Sequence, residues 1–326
     1  MCFFLRMDDM KKAVMIYNPN SGLVDLFRNK NKIDIKRCVR IFEKYGYQVE
    51  LYKTKYSGHT CEIVSSLEEN IDFVVSVGGD GTFNEAMTGN FSRKNKLVMS
   101  HIPLGTTNDI GAMFGLGKNL YKNLELILDG EVKGVDICTI NHQPFVYVAG
   151  FGKFMNVPYE TSRGLKKNLG KLAYLVEGIR DFFYRSTPLY EISYTVNDEK
   201  YHGLYSFALI SNANQIAGIP NFYKNIKLDD HKFEVLFCNV EKKKDIIKSL
   251  LYLGANDITK VPGFYFHKCE CLKIIFHKKL KKPWCIDGEE FQEKSLEYDI
   301  RIVPDVLIRI PKKVIPKLFV QGSDDV

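Results

Sequence analysis

No apolar run in this chain reaches the roughly 18 residues that a membrane-crossing helix requires, so an integral helical membrane protein is not expected. Zinc-knuckle spacing is missing too. Cys269-x-Cys271 is the only close cysteine pair, and the eight cysteines are otherwise scattered, as reduced thiols of a cytoplasmic protein would be. The stretch Met1–Arg6 is too short for the apolar region of a secretory leader and lacks a small-residue cleavage site, so secretion is not expected; Met7 or Met10 could open the working chain. No internal repeat or low-complexity tract is visible. The phosphate-binding patterns GxxxxGK[ST] and GxGxxG are both absent.

What is present is a chain of 326 residues, long enough for two domains and a substantial core. Its 45% hydrophobic and 26% charged residues are normal for a globular protein. The net charge of +7 favours anionic partners: a nucleotide, nucleic acid or an anionic membrane surface. The lysine runs Lys242-Lys243-Lys244 and Lys278-Lys279-Leu280-Lys281-Lys282 read as solvated faces.

The segment richest in chemistry is Val74-Val75-Ser76-Val77-Gly78-Gly79-Asp80-Gly81-Thr82. A β-branched strand ends at glycines that let the backbone approach a ligand closely. Phe83-Asn84-Glu85-Ala86-Met87 can then start a helix whose free N–H groups suit phosphate. Asp80 would repel phosphate unless a metal ion lay between them, which suggests a nucleotide–Mg²⁺ site. Taken alone, the turn fits an ordinary βα connection with a surface aspartate equally well.

The first part of the chain alternates strands and helices. Val14–Tyr17, Gln48–Tyr52, Ile71–Val77 and Leu97–Ile102 are expected strands. The helices are expected between Ile33 and Tyr45, from a Ser57 cap to about Leu67, and from Leu120 to Leu128. This predicts a mostly parallel sheet covered on both faces, with ligands at the carboxyl ends of the strands. From about Val135 the texture becomes that of an antiparallel β sandwich or barrel. Its expected strands are Val135–Ile140, Phe145–Ala149, Tyr190–Val196, Tyr205–Ser211, Phe233–Val240, Cys271–Phe276 and Ile300–Val303. Helices are expected over Leu169–Phe183 and Lys242–Leu253. The fold class is therefore α/β: a doubly wound nucleotide-binding domain over 1–134, a β-sandwich substrate domain over 135–305 and a C-terminal segment over 306–326 that returns to the first domain. The active site is expected in the cleft between the two domains.

Four pieces occur in a fixed order: Asn18-Pro19-x-Ser21-Gly22, Gly78-Gly79-Asp80-Gly81-Thr82-x-Asn84-Glu85, Pro103-x-Gly105-Thr106-x-Asn108-Asp109 and Ile286-Asp287-Gly288-Glu289. Together they resemble the diacylglycerol kinase catalytic-domain family of lipid kinases, which includes soluble bacterial diacylglycerol kinases and the sphingosine and ceramide kinases. The resemblance covers nearly the whole chain. Val135-Asp136, Gly170-Lys171-Leu172-Ala173-Tyr174 and Leu228-Asp229-Asp230 match as well, and length favours the soluble bacterial branch.

The resemblance implies ATP as co-substrate and Mg²⁺ as cofactor. It puts Asn18, Ser21 and Gly22 along the nucleotide and Thr54 on its phosphates, with Gly79, Gly81 and Thr82 as donors to the phosphoryl chain. Gly105, Thr106 and Asn108 belong to the third nucleotide loop. Asp80 would hold the metal network with Asp136, and Asn108 or Asp109 nearby, while Glu85 would reach the ribose or base. Asp287 is the expected proton acceptor for the lipid hydroxyl. Glu289, two residues on along an extended segment, would project to the same side and order the metal. The competing reading of Asp287-Gly288 is a plain hairpin turn. Asp230 matches an aspartate that helps bind a second, structural Mg²⁺, although His231 stands where glycine is usual.

The activity implied is ATP- and Mg²⁺-dependent phosphorylation of a lipid hydroxyl, such as diacylglycerol to phosphatidic acid. The alternatives are a sphingoid base or another long-chain alcohol as acceptor, and a soluble NAD kinase, which shares only GGDG. The expected partner is a lipid at a membrane surface, with no nucleic acid. Lys166, Lys167, Lys171, Arg180 and Arg185 flank an apolar stripe that could dock peripherally at the inner face of the membrane. The soluble relatives also imply a homodimer in the cytoplasm.

Overall fold

The computed structural model describes residues 11–19, 33–105, 108–152, 189–216, 219–220, 222–239, 263–280 and 282–320. The expected helices at 169–183 and 242–253, the basic stripe at 166–185, and Ser21, Gly22 and Thr106 lie outside them. The chain divides into two compact units. Unit 1 is Met1–Val135 with Asp305–Leu318, and unit 2 is Asp136–Pro304 with Phe319–Val326.

Unit 1 alternates as the hydrophobic pattern predicts: β1 (Lys11–Tyr17), α1 (Ile35–Lys44), β2 (Tyr47–Lys53), α2 (His59–Ser66), β3 (Phe73–Gly78), α3 (Asp80–Ser92), β4 (Met99–Pro103), α4 (Asp109–Met113) and α5 (Leu120–Leu128). The strands lie parallel in the order β2-β1-β3-β4. Every residue of β3 and β4 is buried, the signature of a sheet covered on both sides. Each fully buried Val or Ile there contributes about 1.5–3 kcal/mol relative to exposure.

Local chemistry sets the helix ends. Asp34 and Asn119 cap α1 and α5 by accepting from the amides of Arg37 and Lys122. The chain leaves α1 through Gly46 at φ +80°, a conformation open to glycine at little cost. α2 departs from expectation. Its cap is Gly58, also left-handed, and Ser57 instead points its hydroxyl at Glu85. The returning segment is tied in by Arg309, whose guanidinium donates to the carbonyls of Ile127, Leu128 and Gly130 and so closes the C-terminus of α5.

Unit 2 is built from strands. β5 (Glu131–Ile140) enters it from unit 1. There follow β6 (Gln143–Phe145), β7 (Val148–Gly152), β8 (Tyr190–Val196), β9 (Glu199–Tyr205), β10 (Phe207–Ser211), the short pair β11 (Gln215–Ile216) and β12 (Ile219–Pro220), β13 (Phe233–Cys238), β14 (Phe264–Cys269), β15 (Cys271–Phe276), β16 (Cys285–Ile286), β17 (Glu289–Glu290) and β18 (Glu297–Ile310), which leads back to unit 1. One antiparallel sheet runs β18-β15-β8-β9, with β5 on β18 and β6; the other runs β14-β13-β10-β7-β16-β17. Their inner faces share one core. Ile192, Tyr194, Ile274 and Tyr298 from the first meet Phe151, Ile210, Phe237 and Trp284 from the second. This is a sandwich whose inward residues alternate with outward ones, as in β15. Trp284 is wholly buried, edge-on to Phe151 and tilted against Tyr298.

Three strand expectations need correction. Phe145–Ala149 is split between β6 and β7, because the amides of Val146 and Tyr147 are taken by the Asp287 carboxylate. Tyr205–Ser211 is likewise split, with Ser206 donating to the carbonyl of Cys238. Ile300–Val303 is the middle of a strand of 14 residues that continues through Pro304. No helix among the described residues is long and apolar enough to cross a membrane.

Candidate active site

In unit 1 the ends of four parallel strands are stitched into one row. The amide of Thr54, after β2, donates to the carbonyl of Tyr17 at 3.0 Å, and that of Asn18, after β1, to Val77 at 3.0 Å. Leu104, after β4, donates to Gly78 at 2.6 Å. The loops carrying Asn18, Thr54, Gly79 and Gly105 therefore stand side by side at the carboxyl edge, where such sheets bind ligands.

Two glycines bring the third and fourth loops together. A Cβ on Gly105 would lie 2.6 Å from the Cα of Gly79 and 2.9 Å from Oδ1 of Asn108. A Cβ on Gly78 would meet the Thr82 hydroxyl at 2.3 Å. These approaches exclude any side chain. Gly79 is the N-cap of α3 and supplies no capping side chain, so the first turn with Gly81 and Thr82 presents a positive helix end. Asn108 caps α4 in the left-handed conformation, φ +57°, and its side-chain amide donates to the carbonyl of Gly105 at 2.7 Å. Beneath the glycine turn His101 stacks on Phe83 and meets Ser76 at 3.0 Å. Burial pushes its imidazole down to about 3, so it stays neutral.

The carboxylates of the expected site are engaged by backbone amides. Asp80 is nearly buried and accepts from the amides of Asp109 at 3.0 Å and Ile110 at 3.2 Å, which anchors the first turn of α4. Glu85 accepts from the amides of Gly58 at 2.8 Å and Thr60 at 3.3 Å. It therefore supplies the cap that Gly58 cannot.

In unit 2, Asp287 and Gly288 are the two residues of a tight hairpin between β16 and β17, with φ +47° and +88°. Positive φ at both is the pairing that Asp-Gly favours, because its twist suits the flanking strands. Asp287 is 4% exposed and accepts three amides: Val146 at 2.7 Å, Tyr147 at 3.0 Å and Val148 at 3.0 Å. Its own amide donates to Val148 at 2.8 Å. A carboxylate so held is a poor acceptor for a substrate proton. Glu289 is not on an extended segment with Asp287; it begins β17, is paired with Ile286 and is exposed.

Asp136 joins the turn before β13. Its oxygens accept the His231 amide at 2.6 Å and meet the His231 ring at 3.1 Å. Burial pushes its carboxyl up, against the pull of those His231 contacts. Asp230 meets the ammonium of Lys268 at 2.7 Å and accepts from the amide of Lys232. Lys268 also contacts Glu234 at 3.2 Å. Sequence reasoning missed Glu234, although a lone glutamate inside Phe233-Glu234-Val235-Leu236-Phe237 is a readable signal. Burial pushes it up to about 7, despite the pull of Lys268.

No group of three or more His, Cys, Asp or Glu side chains among the described residues is arranged to hold a metal ion. The set around Asp80 fits an ion carried mainly by nucleotide phosphates, as Mg²⁺ commonly is, with the carboxylate fixed by two amides. The set around Asp230 does not fit a metal, because an ammonium already occupies the approach to its oxygen.

Known proteins agree with this layout. Residues 12–140 match the model of the diacylglycerol kinase catalytic domain. The diacylglycerol kinase of Staphylococcus saprophyticus is 29% identical over 280 residues, 86% of this chain and 89% of that one. The Staphylococcus epidermidis diacylglycerol kinase is 29% identical over 280 residues, 86% of each chain. The crystal structure of a diacylglycerol kinase from Bacillus anthracis superposes with a TM-score of 0.73 over 94% of this chain and 99% of that one, at 24% identity, a likeness of fold. Over residues 12–140, with their parallel strand ends and glycine turn, the chain carries a diacylglycerol kinase catalytic domain, and over most of its length it is similar to bacterial diacylglycerol kinases.

Proposed function

We propose that this chain transfers the γ-phosphoryl group of ATP to the hydroxyl of a neutral lipid, diacylglycerol giving phosphatidic acid. The observation that carries the reading is the row of strand-end loops, in which the Gly79–Gly105 approach leaves room only for backbone beside the uncapped first turn of α3. Backbone donors of that kind suit a phosphoryl chain, and phosphoryl transfer needs positioning and charge neutralisation more than covalent chemistry. Gly79, Gly81 and Thr82 would bind the phosphates, with Asn18, Thr54, Gly105 and Asn108 along the nucleotide. Ser21, Gly22 and Thr106 keep their expected part beside it. Mg²⁺ on the phosphates would neutralise their charge, and Asp80 is the carboxylate of unit 1 to face it.

The proton acceptor we assign is Glu289, not Asp287. The lipid hydroxyl gives its proton to Glu289 as its oxygen bonds to the γ-phosphorus, and the bond from that phosphorus to the β-bridging oxygen breaks to release ADP. Exposure of Glu289 supports this role; the three amides on Asp287 support a positioning role for the hairpin that presents it. Peripheral docking on anionic lipid at the inner face of a membrane, and a homodimer, complete the proposal.

The test is transfer of labelled phosphate from ATP to a panel of diacylglycerol, sphingoid base and NAD. Glu289→Gln should lower kcat by about 10²–10⁴-fold with ATP binding retained. Transfer to NAD but not to lipid would overturn the reading, and full activity in Glu289→Gln would remove that residue as the base.

A further inference from the structure

The turn that precedes β13 gathers three acidic side chains, Asp136, Asp230 and Glu234, yet the cation that faces them is supplied by the protein. Lys268 reaches Asp230 at 2.7 Å and Glu234 at 3.2 Å. Strand pairing puts it there: Glu234 of β13 and Lys268 of β14 are direct partners, so their side chains leave the same face of the sheet. His231 takes the left-handed conformation at φ +58°, where glycine would cost nothing, and turns both its amide and its ring nitrogen onto Asp136. The carbonyls nearby are engaged as well. Leu228 accepts from the amide of Asp136 at 2.7 Å, and Asp136 accepts from the side-chain amide of Asn212 at 2.8 Å.

A structural Mg²⁺ would need about six oxygens at roughly 2.0–2.1 Å in near-octahedral array. Here the oxygens of Asp136 and Asp230 already have partners, and an ammonium stands where the ion would approach. Two cations cannot share that position. We propose that Lys268 is the tethered cation of this turn, standing in place of a bound metal, so that unit 2 holds its fold without any divalent ion. The ammonium does what the ion would do: it ties the 228–232 turn to β13 and β14 through two carboxylates. Burial of Lys268 works against its charge, but Asp230 and Glu234 outweigh this and its affinity for the proton is raised.

The inference concerns stability and metal content, so its test makes no use of kinase activity. Thermal melting of the full chain is compared in EDTA and in millimolar Mg²⁺ without nucleotide, and Mn²⁺ binding is titrated by electron paramagnetic resonance. Wild type should melt at the same temperature in both buffers and show no tight nucleotide-independent Mn²⁺ site. Lys268→Met should melt about 5 °C lower in either buffer, with Lys268→Arg recovering most of the loss. Should Lys268→Met not fold, the wild-type melts, the Mn²⁺ titration and Lys268→Arg decide. A Mg²⁺-dependent rise in wild type that vanishes in Asp230→Asn, or one tight Mn²⁺ per chain lost with that substitution, would overturn the proposal. So would a Lys268→Met protein that melts like wild type.

Discussion

The two units bury ionisable groups of opposite sense. Unit 1 holds His101 neutral between Phe83 and Ser76 under the glycine turn; unit 2 holds Glu234 against Lys268. The parallel sheet is buried on both faces and holds its polar ring as a neutral one. In the sandwich, the polar cluster lies where a turn meets β13 and β14, and carries its own cation. The same contrast governs the motif aspartates. Asp80 secures a helix end in unit 1 through two amides, whereas Asp287 secures the β6–β7 break in unit 2 through three. In both places a carboxylate placed by a glycine turn fixes a neighbouring loop.

The largest expected effect separates the units by pH. His101 titrates near 6.5 when unfolded but only at about 3 in the fold, so the unfolded chain binds the extra proton and stability falls as pH drops from about 6.5 toward 3. The full loss is on the order of 5 kcal/mol. Glu234 has the reverse sign: the fold keeps its proton up to about 7 while the unfolded chain releases it near 4.5, so stability falls as pH rises across that interval, by on the order of 3 kcal/mol. Denaturant titrations across pH should show the neutral-side fall flattened in Glu234→Gln, and the His101 imidazole signals in NMR should not shift above pH 4. A His101 resonance that titrates near 6.5 would break the contrast.

Next come the aspartates. Asp287→Asn keeps one acceptor oxygen but turns its amino group at one or more of the three amide donors and should cost about 3 kcal/mol; Asp80→Asn, with two donors at a helix end, should cost about 1–2 kcal/mol. Urea midpoints at unchanged slope measure both. An Asp80 variant as unstable as the Asp287 variant would erase the distinction between helix end and strand break.

The sequence carried the fold well where the pattern is strong. β8, β15 and α5 fall where alternation or helical spacing puts them, since each buries one clear face. β9 and β14 escaped notice because they are sheet-edge strands with polar, half-exposed residues. The expected strand Ile300–Val303 ended before Pro304, but a strand can pass a proline where no ladder amide is needed. The positions of the candidate site were legible as glycine turns at strand ends. Where their carboxylates point was not. Asp80 meets Asp109, and Asp287 meets Val146–Val148, across stretches of chain that no local periodicity links.

Glu85 gives the smallest effect and the sharpest choice between a structural and a ligand role. In the fold it caps α2 from outside, because Gly58 has no side chain to do so, and its two amide contacts are worth about 1 kcal/mol. Glu85→Gln keeps one acceptor oxygen and should lose about half of that, leaving the KM for ATP within a factor of two; Glu85→Ala should lose all of it. A residue that held the ribose would behave otherwise, raising the KM for ATP about tenfold or more at unchanged stability. Denaturant midpoints and ATP saturation curves on the same two variants separate the outcomes. The cap is the expected result, since a carboxylate whose oxygens already serve Gly58 and Thr60 would have to release α2 to reach a sugar.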